Sequence, residues 1–204
     1  MVLEAAIDDF NTAKIAVEHG VNRLEVCSDL ANDGLTPDVD LFIKCIELKV
    51  PCFAMIRPQK GDFTVNKSNF LLMQQQINKF KNLGASGLVL GILTDNYEVD
   101  TEKVTTLVKL ADPLPITFHK AIDVTKNILK SAESLLSTGV KRILTSGGCS
   151  SVLEGIPVIK QMYSILGGKI TLVAGGKVTY NNLPQIKQEL PFCEFHGRNI
   201  VKLN

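Results

Sequence analysis

Short runs of β-branched and apolar residues, bounded by turn residues, recur eight times along the chain. They begin near residues 2, 22, 51, 87, 115, 140, 169 and 192, and each has the length of a strand. Between them the apolar positions change to helical spacing. In the first such segment Asp8 or Asp9 is placed to cap a helix, Ala13, Ala16 and Val17 form its apolar stripe, and Gly20 follows His19 as a stop. The same pattern predicts helices over 37–48, 69–83, 101–110, 126–139, 155–166 and 183–190. Gly84, Gly139 and Gly167 stand where helix stops are needed.

Eight strands alternating with seven helices predict an α/β fold, a (β/α)8 TIM-type barrel occupying residues 1–204 as one domain. Such barrels typically need about 250 residues. The shortfall has a location, because only residues 199–204 follow the last strand and the eighth helix is therefore missing or vestigial. Its absence predicts uncovered apolar surface on strands 8 and 1, and hence a homodimer or higher homo-oligomer.

Composition narrows the function. With 22 Lys+Arg against 21 Asp+Glu the formal charge is +1, which offers no electrostatic footprint for nucleic acid or anionic lipid. The 45% of hydrophobic residues argues for a packed core over a disordered chain. The richest apolar run, Leu88 to Leu93, is strand-sized, far below the 18 or so residues of a membrane span. Met1-Val2-Leu3-Glu4 does not resemble a secretory leader, so a cytoplasmic address is expected. Five cysteines (Cys27, Cys45, Cys52, Cys149, Cys193) contain no C-x-x-C pair and predict reduced thiols.

Strand parity then sorts the polar residues. In a barrel of this type alternate side chains face the interior, and chemistry sits at the C-terminal strand ends. The inward set is Glu4, Glu25, Cys27, Met55, Arg57, Thr117, His119, Glu194 and His196. A plainer account makes this a buried salt-bridge network in which Arg57 satisfies Glu4 and Glu25. Convergence of polar residues from five strands on one mouth favours a site. Two strand ends, Thr145-Ser146-Gly147-Gly148 and Ala174-Gly175-Gly176-Lys177, offer backbone amides to an oxyanion. Cys27 and Met55 supply soft sulfur suited to Cu(I), without a spacing motif to support it.

Read in order, the segments Arg23-Leu24-Glu25-Val26-Cys27-Ser28, Gly34-Leu35-Thr36-Pro37, Met55-Ile56-Arg57-Pro58 with Gly61-Asp62-Phe63, Thr117-Phe118-His119 with Asp123, and Arg142 to Gly147 resemble the CutC family of copper homeostasis proteins over nearly the whole chain. The resemblance implies a (β/α)8-type barrel, an oligomer, a cytoplasmic location, and Cu(I) on cysteines near the barrel mouth. The chain departs from the family at telling places. Ala6 stands where the family has a second mouth cysteine, and Gln59-Lys60-Gly61 replaces Arg-Gly-Gly. Lys120 follows His119 in place of Arg, Lys177 follows Gly176 in place of Gly, and Arg198 stands in place of the final Ser.

Two functions are therefore expected. The first is a cytosolic copper homeostasis protein of the CutC type that binds Cu(I) through Cys27 and Met55. The second is a TIM-barrel enzyme of lyase, isomerase or hydrolase type acting on a small anionic, phosphorylated or carboxylated, metabolite. There Arg57 clamps the anion with the amides and hydroxyls of Thr145, Ser146, Gly147, Gly175 and Gly176. His119, with an ordinary pKa near 6.5, exchanges protons with Glu25 or Glu4, and His196 completes the catalytic set. Lys120, by strand parity, is expected to point toward the helices.

Overall fold

The structure, a computed structural model, describes residues 1–203. Eight parallel strands, β1 (Leu3–Ile7), β2 (Arg23–Val26), β3 (Cys52–Met55), β4 (Gly87–Leu90), β5 (Ile116–Phe118), β6 (Arg142–Thr145), β7 (Thr171–Gly175) and β8 (Glu194–Gly197), close into a barrel in chain order. The helices are α1 (Phe10–Glu18), α2 (Val39–Ile46), α3 (Lys67–Asn82), α4 (Thr101–Ala111), α5 (Ile128–Leu135), α6 (Val152–Leu166) and α7 (Leu183–Glu189). They connect the strands on the outside, as parallel pairing requires. Their starts follow local chemistry: the Asp9 carboxylate accepts from the Thr12 amide at 2.9 Å to open α1, and Ser151 caps α6, which begins three residues before the predicted Gly155.

Most of the core lies between strands and helices. Leu24, Val26, Ala54, Ile56, Leu88, Leu90, Phe118, Ile143, Leu172 and Phe195 are sealed there with the inner faces of the helices. The barrel interior holds a separate, small apolar cluster of Ala6, Cys27, Leu30, Phe53, Met55 and Val89. Leu144 and Val173 are apolar as well, but Glu4, Arg23, Glu25, Thr117, Arg142, Glu194 and His196 make much of the interior polar, so the barrel's middle is chemically unlike its wall.

The seam between β8 and β1 corrects one expectation. Among the described residues no helix follows β8, yet Ala5, Ile7 and Phe195 on the outer faces are buried. The final segment covers them: Ile200 and Val201 belong to the same core and Leu203 packs against it. The segment is pinned where the Tyr180 amide donates to the Asn199 carbonyl at 2.8 Å. The apolar surface that was to demand a second subunit is thus covered by the chain itself. Asn204 lies outside the described residues.

Candidate functional site

The polar interior has two levels. Deep in the barrel Arg23 from β2 forms ion pairs with Glu4 of β1 and Glu194 of β8. Arg142 from β6 donates to Thr117 Oγ1 at 3.1 Å. The guanidinium carbons of Arg23 and Arg142 lie over the Phe53 ring, 4.9 and 4.3 Å from its centroid. This level neutralises buried charge and holds the strands in register. It also corrects the plainer account, since Arg23 and not Arg57 satisfies Glu4. Arg23 and Arg142 were absent from the predicted set, although their parity, two residues before Glu25 and Leu144, places both indoors.

Above it stands an acid-base group. His196 Nδ1 donates to Glu4 Oε1 at 2.7 Å, and its Nε2 faces Glu25 Oε2 at 3.5 Å. One imidazole is therefore flanked by two carboxylates whose environments differ. Burial raises the Glu25 pKa to about 7, with the Glu4 charge adding to the effect and His196 opposing it. Burial also acts upward on Glu4, but the His196 hydrogen bond and the Arg23 charge outweigh it and take the pKa down to about 2. For His196 burial acts downward, and the two carboxylates more than compensate, so its pKa is raised. One acid stays ionised beside the imidazolium while the other sits at neutrality, the separation that assigns acid and base roles.

His119, at the end of β5, is arranged differently. The Ala121 amide donates to its Nδ1 at 3.2 Å, so the proton of the neutral ring is on Nε2. Burial, with Arg57 as a neighbouring cation, lowers its pKa to about 3. The ring rests on Gly91, where an added Cβ would lie 2.5 Å from it, and Phe63 packs beside it with centroids 5.0 Å apart. Burial and Arg57 thus make the charged form of His119 costly, and in its neutral form the ring atom left without a partner is the Nε2–H donor.

Arg57 is largely committed to the protein. Its Nη1 donates to the carbonyls of Asn32 and Gly34 at 3.0 and 3.1 Å, and its Nη2 to that of Gly61 at 3.0 Å. It ties two mouth loops together through its terminal nitrogens and leaves Nε without a partner among the described residues. The predicted amide cradle is also engaged. Asp123, in a single-turn segment after β5, accepts from the amides of Ser146 and Gly148 at 3.0 Å and from the hydroxyls of Thr145 and Ser146. The Gly147 amide donates to Thr145 Oγ1 at 2.8 Å. A carboxylate of the protein fills the place assigned to a ligand anion. Gly175 and Gly176 serve close packing: a Cβ on either would meet Leu144 or Ser146 within 2.7 Å.

These residues surround one cavity of about 680 Å³, lined by Glu25, His196, His119, Met55 and Arg57 and, toward its rim, by Lys120, Lys177 and Arg198. Lys120 faces this cavity, contrary to its strand parity, because it belongs to the short turn segment Lys120–Val124 and not to β5. Of the four buried side-chain atoms without a hydrogen-bond partner among the described residues, Glu25 Oε1, Arg57 Nε and His119 Nε2 belong to residues lining the cavity.

The donors for a metal are of two kinds. Cys27 and Met55 lie together beside Gly34, whose added Cβ would meet Cys27 Sγ at 3.2 Å and Met55 Cε at 3.6 Å. Burial and the Glu25 charge hold the Cys27 thiol well above its ordinary pKa, and Ala6 supplies no second thiol. Cu(I) at this pair would have to displace the thiol proton and would find one thiolate and one thioether in place of two thiolates. Ligand atoms of Glu4, Glu25 and His196 come within 4.8 Å of one another; the Arg23 and His196 bonds already engage Glu4, while Glu25 Oε1 has no partner among the described residues.

Comparison with known proteins places this geometry among relatives. The CutC family profile matches residues 1–201. The mouse copper homeostasis protein cutC homolog is 38% identical over 196 residues, covering 96% of this chain and 72% of that protein. Its human counterpart is 37% identical with the same coverage. The crystal structure of CutC from Streptococcus agalactiae superposes with a TM-score of 0.90 at 30% identity, covering 98% of this chain and all of that one.

Proposed function

Because the chain belongs to the CutC family of copper homeostasis proteins, we propose that it fills its role as a barrel enzyme acting by proton transfer on a small anionic metabolite. The observation that carries the reading is the Glu4–His196–Glu25 arrangement opening on the cavity. Glu25 titrates near neutrality, as a base that must take up and return a proton needs to do. His196, held by Glu4, feels the charge of Glu25 and relays its changes. The rim cations Lys120, Lys177 and Arg198 draw an anion to the mouth, a task that Arg57 and the Gly147 and Gly176 loops leave to them. Lys177 and Arg198 stand at positions where the sequence departs from the family pattern.

Direct Cu(I) binding is a second reading, favoured by the names of the mammalian relatives and by the Cys27–Met55 pair. Copper homeostasis then follows from the metabolite chemistry in the first reading and from a metal site in the second. A cytoplasmic location agrees with both, and no described helix is long and apolar enough to cross a membrane. A homo-oligomer remains part of the proposal, resting now on the exposed Ile43, Leu71 and Leu72 of the consecutive helices α2 and α3.

Thermal shift with a panel of phosphorylated and carboxylated metabolites, run beside Cu(I) competition titration, tests the two together. The enzyme reading expects at least one metabolite to stabilise the protein, less so in Lys177→Glu/Arg198→Glu, and Cu(I) affinity no higher than that of an unrelated thiol protein. Tight Cu(I) binding lost in Cys27→Ser, with no response to any anion, overturns it.

A further inference from the structure

The tautomer of His119 narrows the substrate. Its Nε2–H is buried and without a partner among the described residues. The ring cannot turn to offer Nδ1, because the Ala121 amide is bound there and Gly91 lies tight against it. Burial, together with Arg57 nearby, discourages a second proton on the ring. His119 thus lines the cavity with a ring that is held in place and neutral, its Nε2–H just beneath the cavity surface. Such a donor suits an uncharged oxygen that gains negative charge as the reaction proceeds, and rings of this kind polarise carbonyl groups. An anion present throughout would call instead for a cation; Lys120, Lys177 and Arg198 stand at the rim, and Arg57, the cation beside His119, gives both terminal nitrogens to loop carbonyls. Glu25, which lines the same cavity, likewise carries a buried unpartnered atom, an acceptor oxygen.

We propose that the substrate is a small anionic carbonyl compound with a hydrogen on the carbon next to the carbonyl, and that the site removes and returns that hydrogen as a proton. The inference rests on the proton-transfer reading of the same site. The Glu25 carboxylate takes the proton. The C–H electron pair becomes the carbon–carbon double bond of an enolate, and the carbonyl π pair moves to the oxygen, where the His119 Nε2–H stabilises it. Glu25 then returns the proton to the same carbon. Nothing is oxidised or reduced and no co-reactant is consumed. His119 is a catalytic residue that donates a hydrogen bond without transferring its proton, and the anionic group of the substrate faces Lys120, Lys177 and Arg198.

Loss of the α-hydrogen signal in D2O, followed by proton NMR, tests this with dihydroxyacetone phosphate and pyruvate as probes, alongside their effect on melting temperature. The wild type is expected to accelerate exchange of at least one probe tenfold or more over buffer. Glu25→Gln removes the acceleration. His119→Ala lowers it about 10²- to 10³-fold, the cost of losing one oriented donor. His119→Gln, which keeps an N–H, recovers at least tenfold of that loss and provides a second variant should the alanine protein not fold. Stabilisation by a probe without exchange, or full exchange in a folded His119→Ala, overturns this inference while leaving an anion-binding site. Neither stabilisation nor exchange with either probe overturns both.

Discussion

His196 Nδ1 lies 2.7 Å from Glu4 Oε1 although 192 residues separate them in sequence. The contact crosses the seam at which β8 meets β1, where the strand register sets Glu4 opposite His196. Barrel closure and the assembly of the acid-base group are therefore one event. The next strand, β2, brings Glu25 to the other ring nitrogen from a position paired with Ala6. A side chain no larger than alanine at position 6 leaves the mouth open above that pair.

Arg23 is expected to be the costliest polar residue to remove. Its guanidinium serves both Glu4 and Glu194 in a nearly dry environment, so Arg23→Met strands buried charge at a cost of about 3–5 kcal/mol. For a chain of this size that lowers Tm by roughly 10 °C. Glu194→Gln should cost less, because its side chain is 19% exposed against 1% for Glu4. A Tm loss of under about 2 °C in Arg23→Met contradicts the assignment.

Stability should decline on both sides of mildly acidic pH, for opposite reasons. The folded pKa of Glu25, about 7, lies above its value of 4.5 outside the fold, so its contribution is complete below 4.5 and is lost as pH rises through 7. His196, also raised, acts in the same direction from 6.5 upward. Glu4, lowered to about 2, contributes above 4.5 and loses this as pH falls toward 2. His119, lowered to about 3, adds an acid-side loss beginning below 6.5. Urea midpoints should therefore peak near about pH 5–6. Glu25→Gln should flatten the alkaline side by on the order of 1–3 kcal/mol. An unchanged alkaline slope in that variant contradicts the raised Glu25 pKa.

Asp123→Ala should destabilise the β5–β6 mouth by about 2–4 kcal/mol, since the Ser146 and Gly148 amides and two hydroxyls lose their acceptor. The same variant opens the amide cradle. Inorganic phosphate should raise its melting temperature while leaving the wild type unaffected, and equal responses in the two proteins contradict the view that Asp123 fills the cradle.

The barrel was legible because its signals are repetitive: eight strand-length runs at regular intervals, with Gly84, Gly139 and Gly167 closing the helices between them. Parity was equally informative where strands persist to their ends, and it brought Glu25, Met55, Arg57, His119 and His196 to one cavity. It failed one residue later, at Lys120, because the chain has already turned out of the strand. Asp123 and the carbonyls that occupy Arg57 come from loops, whose partners depend on backbone paths with no periodic signature. The covering of the β8–β1 seam depends on a mere few residues, Ile200, Val201 and Leu203, too short a run to be read as a structural element.

Nitrogen-15 NMR of the imidazoles between pH 5 and 8, in the wild type and in Glu25→Gln, tests the central claim most directly, because it reports protonation and tautomer at the two mouth histidines separately. The account predicts that His119 remains neutral with its proton on Nε2 across the range, as its pKa of about 3 requires. It predicts that His196 stays protonated above the ordinary histidine range and titrates lower when the Glu25 charge is removed. A His119 that titrates between pH 6 and 7 or carries its proton on Nδ1, or a His196 indifferent to Glu25, contradicts it.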